Sequence, residues 1–102
     1  VPRILDAHIE SRHGKRGIVF SVLTISVNGS TDSQRSKAYI LSKFPSSITS
    51  ARVIDTRLRE GSRGAVKEYV TRVFVPQDSI SNNISLLRLL ERIKSLVDDV
   101  KQ

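Results

Sequence analysis

The stretch from Ile84 to Val100 constrains the fold more than any other. Leu86, Leu90, Ile93, Val97 and Val100 recur at intervals of four, three, four and three. That spacing lines apolar side chains along one face of an α-helix. Leu87, Leu89 and Leu96 widen the stripe, while Glu91, Arg92, Lys94, Asp98 and Asp99 keep much of the remaining surface wet. At about 1.5 Å per residue the predicted helix is roughly 25 Å long, enough to cover a small sheet. The residues before it must supply that sheet.

Four segments qualify as strands. Over Ile4–Ile9, Leu5, Ala7 and Ile9 alternate with Asp6, His8 and Glu10, a period of two. The three polar residues would share the solvent face. Two carboxylates and a histidine suggest a metal site, but neighbours at i and i+2 on one strand stand about 6.5–7 Å apart, and no second histidine is near. A polar sheet face is the expectation, with no metal. Ser11–Gly17 reads as a basic loop. Ile18–Val27 follows, apolar on both faces in its first half through Ile18, Phe20 and Val22 beside Val19, Leu23, Ile25 and Val27. Such a strand is central or covered.

Asn28-Gly29 ends that strand as a turn leading into a helix over about Ser33–Phe44, capped by Thr31 or Asp32. Its apolar positions are Ala38, Leu41 and Phe44, with Tyr39 and Ile40 beside them, and Pro45 stops it. Arg52–Arg59 and Ala65–Val75 are the remaining strands. A Gly-containing loop, Glu60–Gly64, joins them as an antiparallel hairpin. Asp78 to Asn83 supplies turn and cap formers before the last helix.

The order strand, strand, helix, strand, strand, helix predicts an α+β two-layer sandwich, a four-stranded, mostly antiparallel sheet with two helices on one face. A length of 102 residues makes this one domain, 1–102. The two halves share a plan without a residue-level repeat. The start at Val1-Pro2-Arg3 suggests a processed chain or a fragment of a longer one. No apolar run is long enough to span a bilayer. The chain has no cysteine, which fits an intracellular, reducing compartment and leaves no thiolate for metal or catalysis.

The net charge is +7, and its distribution is uneven. Residues 1–76 hold thirteen Lys or Arg against six Asp or Glu, and residues 77–102 hold four of each. The basic excess therefore precedes the final helix. Two clusters carry it: Arg12, Lys15 and Arg16 in the first loop, and Arg57, Arg59, Arg63 and Lys67 around the second hairpin. With Tyr69 beside Lys67, the second hairpin is expected to present guanidinium, ammonium and phenol groups on one solvent face. These groups suit phosphate contacts that set affinity rather than base choice. The scarcity of interleaved aromatics argues against a base-stacking sheet.

The sequence thus points first to a non-catalytic nucleic-acid-binding module, RNA or DNA. It has no cofactor and no catalytic residue assigned. An acidic protein or an anionic membrane surface would answer the same charge. A second reading is assembly: the wide final helix predicts a homodimer with Leu89 and Leu96 at its interface. A third is a small phosphodiester-cleaving enzyme using His13, with Asp55 or Glu10 to orient it and Ser11 close in sequence.

Overall fold

The computed structural model describes residues 2–27, 32–59 and 66–97. The elements are β1 (Arg3–Arg12), β2 (Lys15–Val27), α1 (Asp32–Lys43), β3 (Arg52–Leu58), β4 (Val66–Pro76), a 3₁₀ turn (Gln77–Ser79) and α2 (Leu86–Lys94). The Asn28-Gly29 turn, the Glu60–Gly64 loop, Thr31, Arg63 and the helical continuation over 98–100 lie outside the described residues.

One sheet has the order β1-β2-β4-β3, and every neighbouring pair is antiparallel. The β-β-α-β-β-α order and the two-layer sandwich are as the sequence predicts. Both helices lie on one face. α1 packs on β2, β3 and β4, and α2 packs on β1 and β2. Between the layers, Ile18, Phe20 and Val22 of β2 meet Ile4 and Ala7 of β1, Val73 and Val75 of β4, Ile40, Leu89 and Ile93. The rings of Phe20 and Phe44 stand 6.2 Å apart and tilted. Each large buried side chain of this kind stabilises by roughly 1.5–3 kcal/mol.

Several local expectations change. The basic loop is a two-residue turn, so β1 and β2 continue almost to its tip, with Ser11 opposite Arg16 and Arg12 opposite Lys15. His13 and Gly14 carry φ of 52° and 77°. Positive φ at both central residues is the turn geometry that matches the twist of a hairpin. In β1 an irregularity between Ile4 and Asp6 shifts the alternation. Ile4 rather than Leu5 therefore joins Ala7 in the core.

The helices also differ in extent and phase. In α1 the buried positions are Ser36, Ile40 and Phe44, four apart, whereas Ala38 is exposed. The last helix is nine residues rather than seventeen, about 14 Å long at the usual rise. The Ser85 hydroxyl caps it by accepting from the Arg88 N–H at 3.2 Å. At its end the Ser95 hydroxyl donates to the Arg92 carbonyl at 2.7 Å, and the Leu96 N–H tightens onto the Ile93 carbonyl at 2.8 Å. A serine bonding back to the last turn competes with helix continuation. The buried stripe is Leu86, Leu89 and Ile93, with Leu90 only partly buried.

The sheet's other face carries no helix among the described residues. Its side chains are Asp6, His8 and Glu10 of β1, Val19, Ser21 and Leu23 of β2, Val70, Arg72 and Phe74 of β4, and Arg52, Asp55 and Arg57 of β3. Residues directly opposite in a ladder share a face, which fixes this set from the register. Val19, Leu23 and Phe74 are only 0%, 3% and 5% exposed even so. The sheet and its long polar side chains fold over them.

Candidate nucleic-acid interface

At one end of the open face, the first hairpin and the start of β3 enclose a hollow of about 220 Å³. Arg12, His13 and Lys15 form one wall, and Arg52, Val53 and Ile54 form the other, with Phe74 between them. β1 and β3 are opposite edges of the sheet. Even so, Arg12 and Arg52 line the same hollow. Gly17 lets Phe74 lie close to β2. A Cβ at Gly17 would fall 2.8 Å from Phe74 Cε1 and 2.2 Å from the Val75 carbonyl oxygen.

The cations of the hollow differ in their commitments. Arg12 Nη1 donates to Glu10 Oε2 at 2.6 Å. Lys15 Nζ donates to Asp78 Oδ2 at 3.0 Å, a pair exposed to solvent. Arg52 has no carboxylate partner among the described residues, and neither has Arg16. Arg52 was not among the residues the sequence singled out. Its place beside the first hairpin depends on β4 pairing with β2, a long-range fact that no local pattern carries.

The second basic cluster divides between the two faces. Arg57 lies opposite Val70, whereas Tyr69 lies opposite Leu58 and Thr24. The alternation puts Arg57 and Arg59 on the open face and Lys67 and Tyr69 on the helix side. The expected ladder joining them does not form. Register parity decides this, and Thr56 confirms it by bonding Thr71 across the helix-side face at 3.1 Å. What β3 offers instead is a line of Arg52, Arg57 and Arg59 along one face. At about 3.3 Å per residue it spans roughly 23 Å.

Carboxylates partly neutralise that line. Arg72 grips Asp55 with two bonds, Nε to Oδ1 at 3.0 Å and Nη2 to Oδ2 at 2.6 Å. These bonds hold the Asp55 carboxyl below its ordinary pKa despite some burial. Arg57 lies 3.8 Å from Asp55, and Arg59 lies 3.7 Å from Glu68. On β1, His8 Nε2 and Glu10 Oε1 are 2.9 Å apart, and His8 Nδ1 and Asp6 Oδ2 are 3.3 Å apart. The Glu10 bond raises the His8 pKa, and the bonds from His8 and then Arg12 lower that of Glu10. No group of three or more His, Cys, Asp or Glu among the described residues could hold a metal ion.

The other sequence candidates place as follows. Glu10 binds His8 and Arg12, and Asp55 binds Arg72. These are contacts within the sheet face rather than to His13 at the turn. Leu89 is 0% exposed and belongs to the core, so its side chain is not at a surface, contrary to the expectation. The helix phase, one position off the heptad, is the reason. Leu96 is 46% exposed, just past the end of α2. No helix among the described residues is long and apolar enough to cross a membrane. Comparison of the chain with protein families, with characterised proteins and with solved structures found no match.

Proposed function

We propose that this domain binds nucleic acid without catalysis, by seating backbone phosphates in the Arg12–Lys15–Arg52 hollow and along Arg57 of β3 and Arg59 just past its end. The observation that carries the proposal is that three cations, Arg12 and Lys15 of the first hairpin and Arg52 of the opposite edge strand, line one hollow. One of them, Arg52, has no carboxylate partner among the described residues. A guanidinium fork matches two phosphate oxygens at once, and Arg52 can turn to a ligand without giving up an internal bond. The line of arginines then favours a repeating polyanion over a single small anion. The one aromatic on the described open face, Phe74, is almost fully buried. Contact with the backbone rather than stacking on bases follows from that.

A salt-dependent titration of the intact chain with labelled RNA and DNA tests this. Binding should fall steeply as salt rises, with a logarithmic slope of about 0.7 to 0.9 per phosphate engaged. Arg52→Ala should weaken every sequence alike and reduce that slope by about one. Its stability should stay within roughly 0.5 kcal/mol of the parent, as for other surface changes. Unchanged affinity and slope in this variant would refute the site.

A further inference from the structure

A second hollow of about 430 Å³ adjoins the first and shares Lys15 with it. Arg16, Gln77, Asp78 and Asn82 complete its walls. The two hollows differ in chemistry. The first is lined by cations over an apolar floor and has no carboxylate in its lining. The second adds a carboxylate and two carboxamides. Toward a phosphate that carboxylate works against Lys15 and Arg16, so the anion is disfavoured here relative to the first hollow. A hydroxyl is not: it can donate to Asp78 and exchange bonds with either amide.

The segment that carries these groups is exposed but pinned. The Thr49 N–H and hydroxyl both donate to the Ser79 carbonyl, at 2.8 and 3.1 Å. The Ser50 and Ser79 hydroxyls bond at 2.7 Å, and the Ser81 N–H donates to the Ser47 carbonyl at 2.9 Å. Ile48 and Ile80 bridge across the same seam. Polar side chains on backbone fixed in this way lose less freedom when they bind.

We infer that the second hollow takes the ribose of a nucleotide whose phosphate occupies the first, so that the domain prefers RNA to DNA. The inference rests on the phosphate site proposed above and adds the sugar. Lys15 links the two hollows through its bond to Asp78. As a phosphate draws on Lys15, an Asp78 oxygen is left to accept the 2′-hydroxyl proton. That hydroxyl is the group by which a protein tells RNA from DNA at a given position.

The test uses the intact chain and fluorescence anisotropy. Its probes are an oligouridylate of about twelve nucleotides, its deoxy counterpart and its 2′-O-methyl counterpart. The RNA should bind about tenfold more tightly than the deoxy strand, the equivalent of about 1.4 kcal/mol. The 2′-O-methyl strand cannot donate and should bind like the deoxy strand. Asp78→Ala, which leaves no side-chain acceptor at this position, should shrink the gap to less than about twofold without weakening the deoxy strand, because it removes a negative charge. Equal binding of the RNA and deoxy strands by the parent overturns the ribose site and leaves the phosphate site standing. So does a gap that survives both methylation and Asp78→Ala. Failure of the phosphate site itself has a different signature, in which neither strand shows salt-dependent binding and Arg52→Ala changes nothing. That outcome overturns both.

Discussion

Replacing Gly17 with alanine should destabilise the domain, and the sign is informative because opposite terms compete. Gly17 sits in β2, opposite Glu10 and Pro76. In an ordinary strand position, alanine for glycine stabilises by about 0.4–1 kcal/mol by narrowing the unfolded ensemble. Here the new Cβ would stand 2.2 Å from the Val75 carbonyl oxygen, and 2.8 and 2.9 Å from two carbons of the Phe74 ring. The ring can swing aside, but the carbonyl belongs to the β2–β4 ladder and must retreat by more than 1 Å to reach ordinary contact near 3.4 Å. Overpacking of this kind costs about 1–3 kcal/mol, and a backbone clash belongs at the upper end. The expected net loss is about 2 kcal/mol, or roughly 10 °C in Tm for a domain near this size. Urea denaturation and calorimetry would measure it. Phe74→Leu in the Gly17→Ala background should recover only part of the loss, since the carbonyl contact persists. A Tm equal to or above that of the parent would refute the close approach of β2 and β4 at this row.

Two further predictions concern groups inside the sandwich and on its open face. The hydroxyls of Thr24 and Ser36 are buried without a hydrogen-bond partner, so Thr24→Val and Ser36→Ala should each stabilise by about 1 kcal/mol; a loss in urea midpoint for both would mean that the hydroxyls are satisfied. The pH profile should fall on both sides of a plateau. Glu10 and Asp55 titrate below their ordinary values, so their contribution is present above about pH 4–4.5 and is lost as pH falls through their lowered folded values. The folded-state pKa of His8 is raised, so its contribution is complete below about pH 6.5 and is lost as pH rises through the higher folded value. His8→Gln should abolish the slope on the alkaline side and weaken the Glu10 part of the acid side, because His8 is the first cause of the lowered Glu10 value; an unchanged slope in thermal melts at increasing pH would contradict the assignment.

The residues that could be read from sequence are those whose partners are near in the chain. Alternation over Ile18–Val27, the Gly-bearing turns and the stop at Pro45 suffice for two hairpins and two helices in order. Failures begin where one extra residue changes parity. The irregularity around Ile54 lets Val53 and Asp55 face opposite Val73 and Arg72, and nothing local in Arg52-Val53-Ile54-Asp55 marks it. Tyr69 and Arg57 were expected together because each lies on the polar-looking side of its own strand. Only the register reveals that Tyr69 pairs with Leu58 and Thr24 on the helix side. The final helix misleads for another reason. Its apolar residues past Lys94 continue the stripe on paper, but the Ser95 hydroxyl takes the Arg92 carbonyl, and Leu96 follows in a turn rather than in the helix. The hollow was half legible: Arg12 and Lys15 stand in one turn, and Arg52 enters through strand order alone.

The two edge strands flank both the buried apolar residues of the open face and the charged site beside them. β1 and β3 are the edge strands, and each carries an irregularity close to the row where Ser21 pairs with Arg72. An extra residue at an edge bends its strand and increases the right-handed twist. Between these two edges, on the inner strands, Val19, Leu23 and Phe74 are nearly buried on the open face. Arg52 shares its row with Phe74, Val19 and His8, and Arg12 lies four residues further along β1, so in a flat sheet their Cα atoms would stand roughly 20 Å apart. Their long side chains line one hollow all the same, and repulsion between the two cations is offset by Glu10, bonded to Arg12. The charged hollow is thus made by the strands, whereas the helices stabilise the opposite face. Removing Arg52 should therefore change binding and leave the core, which Ile40, Phe44, Leu89 and Ile93 close from the other side, intact.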